Sequence, residues 1–187
     1  MNLAFEELLA FHCAPALAGI KAANLVSCPR QLVEDPEELV AQYGRTLGSR
    51  GIHLRILCRC PKGTLILVYR EDRLARCLAR PAAVRLLVQA GYPVGTVEEL
   101  LDHLSRRMAR RQGTFPHEIG LFLDYPPVDV IGFLRHGGKG CKLCGHWKVY
   151  GDAESARRQF QRYDRCRAAL TQRIRQGYSL AQLFCAA

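Results

Sequence analysis

The chain is 187 residues long, 49% apolar and 24% charged, with a formal net charge of +10. That balance suits one folded domain over residues 1–187 with a core of its own, and excludes a disordered or collagen-like chain. No apolar run approaches a bilayer span, so no membrane partner is expected, and the positive excess points to an anionic one.

The first segment, MNLAFEELLAFHCAPALAGIKAANL, suggests a short helix over 3–12. Glu6, Glu7 and His12 interrupt it early, where a secretory leader would have a basic start and an unbroken apolar middle. The expected location is therefore cytoplasmic. The nine cysteines are then expected as reduced thiols, several of them buried as small apolar groups. A strand follows at NLVSC (24–28). Asp35-Pro36, with Glu38 at the third helical position, caps a helix over 36–48.

IHLRILCRC (52–60) and TLILVYR (64–70) flank PKG and read as a hairpin. A helix is expected within 72–90. Thr96 followed by Glu99 opens the next, with Val97, Leu100, Leu101, Leu104 and Met108 on one stripe. Short helices are expected at 116–123 and 127–135, and a strand at HWKVY (146–150). Asp152 caps a long helix whose inner face is Ala156, Phe160, Tyr163, Leu170 and Ile174, and a final helix covers 179–185. This order indicates an α+β fold, with a small, mostly antiparallel sheet of about four strands packed with several helices.

Several chemistries compete for the polar residues. Cys141-x-x-Cys144 is a good zinc pair, but Cys58/Cys60, one residue apart on a strand, form a poor second pair, so no metal site is favoured. Cys13, His146 and Asp152 occur in the order of a thiol hydrolase, yet Cys13 leaves a helix and lacks the dipole of a helix N-terminus. Cys28-Pro29 and Cys60-Pro61 resemble dipeptides that hold haem through thiolate, and His12 is a further iron ligand candidate. LSRRMARRQG (104–113) and ARRQFQRYDRCRAALTQRIRQG (156–177) concentrate the positive charge on helices, as a nucleic-acid accessory protein would, without a groove-reading motif.

The favoured reading is a pocket for a small anionic ligand. HWKVY puts Trp147 and Val149 on one face and Lys148 and Tyr150 on the other. If that strand neighbours LVYR, Arg70 and Lys148 share a side. FPHEIGLFLDYPPVDVIGFL (115–134) adds His117, Glu118, Asp124, Tyr125 and Asp129 on an apolar scaffold, the composition of a ligand pocket. The bland alternative is a buried brace in which Glu118 pairs with Arg70 or Lys148.

The segments FHCAPALAGIKAANL, LVYR, FPHEIGLFLDYPPVDVIGFL and CGHWKVYGDAESARRQFQRYDRCR together resemble the bacterial family known as domain of unknown function 3793. The resemblance covers most of the chain and implies no activity. The family pattern has HCAPTLAGIK where this chain has Ala16 in the Thr position, and CGYWKVYGD where it has His146 in place of Tyr. A hydrolase cannot dispense with its base, so the resemblance counts against the Cys13–His146 pair. The resulting expectation is a ligand held by Arg70, Lys148 and Lys21, with Tyr69, Tyr125, Tyr150 and His12 around it. Were the protein an enzyme, His117 and Glu118 would move protons and Cys13 or Cys144 would be the nucleophile.

Overall fold

The structure is a computed structural model describing residues 2–61, 63–109 and 115–185. Helix α1 (Leu3–Leu17) starts where Asn2 Oδ1 accepts the Phe5 amide at 3.0 Å. It continues well beyond residue 12, through Pro15, which sits near the helix end where few bonds are lost. The Ala16 N–H turns instead to Asn24 Oδ1 (3.0 Å) on β1 (Ala23–Pro29). Helix α2 (Pro36–Gly48) is capped by Asp35 as expected, its side chain accepting the Glu38 amide at 3.0 Å.

Strands β2 (Ile52–Cys60) and β3 (Gly63–Arg70) form the expected hairpin; Lys62 of its turn lies outside the described residues. The three-stranded sheet has the order β1-β3-β2, antiparallel throughout. Its pleat sorts the core. Val26, Ile66 and Ile56 are paired laterally and share one face with Cys28 and Val68, facing α1 and α2. Leu25, Leu67 and Tyr69 share the other face with helices that follow β3.

Those helices are α3 (Glu71–Leu78), α4 (Pro81–Gln89), α5 (Val97–Ala109), α6 (Ile119–Phe122) and α7 (Pro127–His136). The helix expected over 72–90 is two helices. Arg80 precedes Pro81 and takes an extended ψ of 132°, the conformation that proline imposes on its predecessor. Helix α5 opens with a reciprocal cap between Thr96 and Glu99. The end of the basic run at 104–113 lies outside the described residues.

The fourth strand does not join the sheet. Residues 146–150 contribute only β5 (Lys148–Val149), paired with β4 (Leu143–Cys144) in a separate small hairpin. The expected alternation still holds, with Trp147 and Val149 buried and Lys148 and Tyr150 half-buried. The hairpin packs on α8 (Ala153–Arg175), where a Cβ on Gly145 would lie 2.4 Å from the Phe160 ring. That close fit orients the hairpin on the helix rather than on the sheet. Helix α9 (Leu180–Cys185) closes the chain on α2. Buried Glu6 joins these elements, accepting the Tyr43 hydroxyl at 2.8 Å and the Leu180 amide at 3.1 Å.

Candidate functional site

A cavity of about 300 Å³ opens between β1, the α6–α7 segment and the small hairpin. Leu25, Ile119, Leu123, Val130 and Phe133 make it largely apolar, and Trp147 forms part of its wall. Its polar groups are His117, Tyr125, Asp129 and Lys148. A cavity of this size and composition suits a small molecule with an apolar body.

The polar groups differ in what they have left to offer. Buried Asp129 is already engaged through both oxygens: Oδ1 accepts the Tyr150 and Gly151 amides at 2.8 Å each, and Oδ2 accepts Trp147 Nε1 at 2.7 Å. It is the clamp that holds the hairpin on α7. Gly132 on that helix has no room for a Cβ, which would lie 2.3 Å from the Tyr150 ring. Tyr125 donates to His146 O (3.2 Å) and stacks on Trp147 at a centroid distance of 5.0 Å.

Lys148 is less committed. Its Nζ donates to Gly138 O at 2.7 Å, one of the three N–H bonds an ammonium can make. Gly138, at φ +79°, lets the loop turn back over the lysine. His117 is exposed, with its ring 4.8 Å from that of Phe133. A Cβ on Gly138 would lie 3.0 Å from Lys148 Nζ and 3.1 Å from Phe133 Cε2. Lysine, histidine and loop therefore converge on the same phenylalanine at one end of the cavity.

The other expected site residues are dispersed. Arg70 is not beside Lys148, because β3 and β5 belong to different sheets. Its guanidinium donates to Ala16 O (3.1 Å), to Leu17 O and to Arg50 O (2.6 Å), so it caps the carbonyl end of α1 and ties it to the end of α2. Replacing Arg70 by Met is expected to cost about 2 kcal/mol of stability in urea denaturation, the scale of a few lost charge-assisted bonds. Tyr69 is buried against His53, and Tyr150 donates to Lys139 O (3.1 Å) beside His136.

Glu118 is a buried brace with partners that the sequence reading did not name. Arg107 Nε lies 2.8 Å and the Tyr92 hydroxyl 3.1 Å from its Oε1. His117 lies instead against Phe133 at the cavity, so the two do not form a proton-transfer pair. Among the described residues no hydrogen bond joins any two of His117, Glu118, Cys13 and Cys144. Cys13 is buried within α1, and burial pushes its thiol well up, the opposite of an activated nucleophile. Cys144 is exposed on β4.

His146 contacts Asp164 (3.1 Å), while Asp152 caps α8, so the Cys13-His146-Asp152 set is not assembled. Cys28 and Cys60 project from opposite faces of the sheet: Cys28 pairs with Thr64, and Cys60 with the adjacent Gly63. One haem cannot face both. His12 is exposed against Phe11, its pKa lowered by partial burial and by Arg167. Among the described residues no group of three or more His, Cys, Asp or Glu is placed to hold a metal ion. Along α8, Arg157, Arg158 and Arg167 pair with Glu154 or Asp164, which reduces the bare positive charge of that helix. Among the described residues no helix is long and apolar enough to cross a membrane.

Lys21 is 3% exposed, its Nζ 5.1 Å from the centroid of the Tyr125 ring and 5.5 Å from that of Tyr163. Desolvation lowers its pKa to about 8 against the opposing pull of Asp124 and Cys13.

The chain matches the family described as Protein of unknown function (DUF3793) over residues 9–184. It belongs to that family. No curated protein and no solved structure is significantly similar to it. In this DUF3793 chain the matched span includes the whole cavity wall and Lys21. Every cavity residue except Leu25 falls within FPHEIGLFLDYPPVDVIGFL or CGHWKVYGD.

Proposed function

We propose that this protein binds a small amphipathic anion, its apolar body in the cavity between β1, α6, α7 and the hairpin, and its charged head at Lys148. The observation that carries this is the pairing of an apolar enclosure of about 300 Å³ with a half-buried lysine that makes one hydrogen bond among the described residues. His117, against the same Phe133 ring, is the second head-group contact. Nothing in this reading needs Arg70, whose donors serve backbone carbonyls.

Octanoate serves as the probe and 1-octanol as its uncharged control, both measured by titration calorimetry. Saturable one-to-one binding of octanoate is expected, with octanol weaker by about tenfold or more, the worth of a charge-assisted hydrogen bond. Lys148→Met is expected to erase that preference, whereas Leu25→Trp fills the cavity and abolishes binding of both. Arg70→Met should leave the affinity unchanged. Equal affinities for acid and alcohol, or binding indifferent to Leu25→Trp, would remove the proposal.

A further inference from the structure

Helix α7 borders a second cavity. Val130 and Phe133, three residues apart, line the apolar cavity described above, whereas Ile131, Leu134 and Arg135 line a groove shared with α4. From α4 the groove takes Ala82, Arg85, Leu86 and Gln89, the i, i+3, i+4 and i+7 positions of one helix face. It measures about 430 Å³, a volume suited to a small molecule. Among the described residues the two cavities share no lining residue.

The groove has apolar walls and one sign of charge. Leu86, Ile131 and Leu134 supply the apolar surface, and Leu134 is 47% exposed. Its charged groups are the two arginines, and among the described residues no carboxylate lines it. Elsewhere on the surface arginines have acids beside them: Arg76 pairs with Asp72, Arg157 and Arg158 with Glu154, and Arg167 with Asp164. Arg85 and Arg135 make no ion pair and no hydrogen bond among the described residues. The sequence gives the reason. Three and four residues from Arg85 stand Pro81, Ala82, Val88 and Gln89, and around Arg135 stand Ile131, Gly132, Gly138 and Lys139. Neither helix therefore offers an acid at pairing distance. Arg135, in the last turn of α7, meets the negative end of that helix dipole, but Arg85 sits in the middle of α4 and has no such partner.

We propose that this groove binds small organic phosphate monoesters, the phosphate between Arg85 and Arg135 and the organic group against Leu86, Ile131 and Leu134. A guanidinium presents its N–H groups as a planar fork that matches two oxygens of one anion. A carboxylate has only two oxygens and is satisfied by a single fork. A phosphate monoester has three terminal oxygens and about two charges, so it engages both arginines at once. Gln89, one turn beyond Arg85, adds an uncharged amide donor to the same wall.

The test titrates the folded full-length protein with phenyl phosphate by calorimetry, with benzoate and phenol as controls. Saturable one-to-one binding of phenyl phosphate is expected, with each control weaker by about tenfold or more. Arg85→Gln and Arg135→Gln should each weaken it by about tenfold or more, while Arg175→Gln, at an exposed position on α8, leaves it unchanged. Binding should persist in Leu25→Trp and in saturating octanoate. Phenyl phosphate that octanoate displaces, or that Leu25→Trp abolishes, would be occupying the first cavity, and the proposal would be overturned. Equal losses from Arg85→Gln and Arg175→Gln would reveal diffuse attraction to a basic surface and overturn it too, as would benzoate binding as tightly as phenyl phosphate. Leu25→Trp fills only the first cavity, so the two sites fail independently.

Discussion

Replacing Asp129 with alanine is expected to cost about 4 kcal/mol of folding stability, and with asparagine about 2 kcal/mol, in urea denaturation. All three partners of this carboxylate are donors: two backbone amides and the indole N–H. Alanine leaves one buried and two part-buried donors without an acceptor. Asparagine restores one oxygen but turns an N–H₂ toward another donor, which is why its cost is smaller and not zero. Asp129 also lies in the first turn of α7, where a negative charge meets the positive end of the helix dipole.

The same variants have a spectroscopic readout. Trp147 is the only tryptophan, so the emission of the folded protein reports its surroundings alone. Loss of the Asp129 bond is expected to shift that emission to the red before global unfolding, as the hairpin loosens from α7. The octanoate affinity should fall in parallel, because Lys148 is carried on the same two-residue strand. An Asp129→Ala protein within about 0.5 kcal/mol of wild type, with unshifted emission, would show that the hairpin is held by its packing on Phe160 and not by the carboxylate.

The parts of this fold that were readable share one feature: their signals are local. Asp35-Pro36, Thr96 with Glu99, and Asp152 each satisfy backbone donors within a few residues, so each cap could be seen without knowing the tertiary structure. The alternation in the 52–70 hairpin depends only on its own pleat. The break at Arg80-Pro81 had a local signal too, since the residue before proline leaves the helical region, but the apolar spacing on both sides ran through it. Residues 146–150 are the contrary case. Their alternation was right, yet alternation does not say which partner a strand takes. The partner was decided by Gly145 against Phe160 and Gly132 against Tyr150, contacts between separate elements that the strand's own alternation does not carry.

The site divides in the same way. The two long blocks supply nearly all of the cavity lining, and Lys148 was singled out with them. Arg70 was misplaced because a cation at a strand end looks alike in sequence whether it faces a ligand or caps a helix of distant origin. Arg107 and Tyr92, the partners of Glu118, carried no signal at all: they come from α5 and the segment before it. Asp124 had a faint one, since aspartate is among the few residues that tolerate the left-handed region, here just ahead of Tyr-Pro-Pro.

The stability of the wild-type protein relative to a Lys21→Met variant is expected to rise by about 3 kcal/mol between pH 8 and pH 10.5. The folded-state pKa, about 8, lies below the ordinary lysine value of 10.5. Below pH 8 both states hold the proton and the folded state bears the full cost of the buried charge. Above 10.5 both are neutral and that cost is gone. Between them the unfolded chain binds the extra proton, so stability rises with pH. Two cation–π contacts, worth about 1 kcal/mol each, oppose the desolvation without cancelling it.

The groups facing the amine do not obscure the effect. Tyr125 and Tyr163 are pushed up to about 12 by burial and stay neutral in this window, as does Cys13, which burial raises well above its ordinary value. Asp124 supplies the one carboxylate whose charge acts on Lys21 and is common to both proteins. Their unfolded chains titrate alike except at position 21, so the difference between the two urea-denaturation series isolates the lysine. A difference that stays flat across the window would mean that Lys21 remains charged and solvated in the folded state.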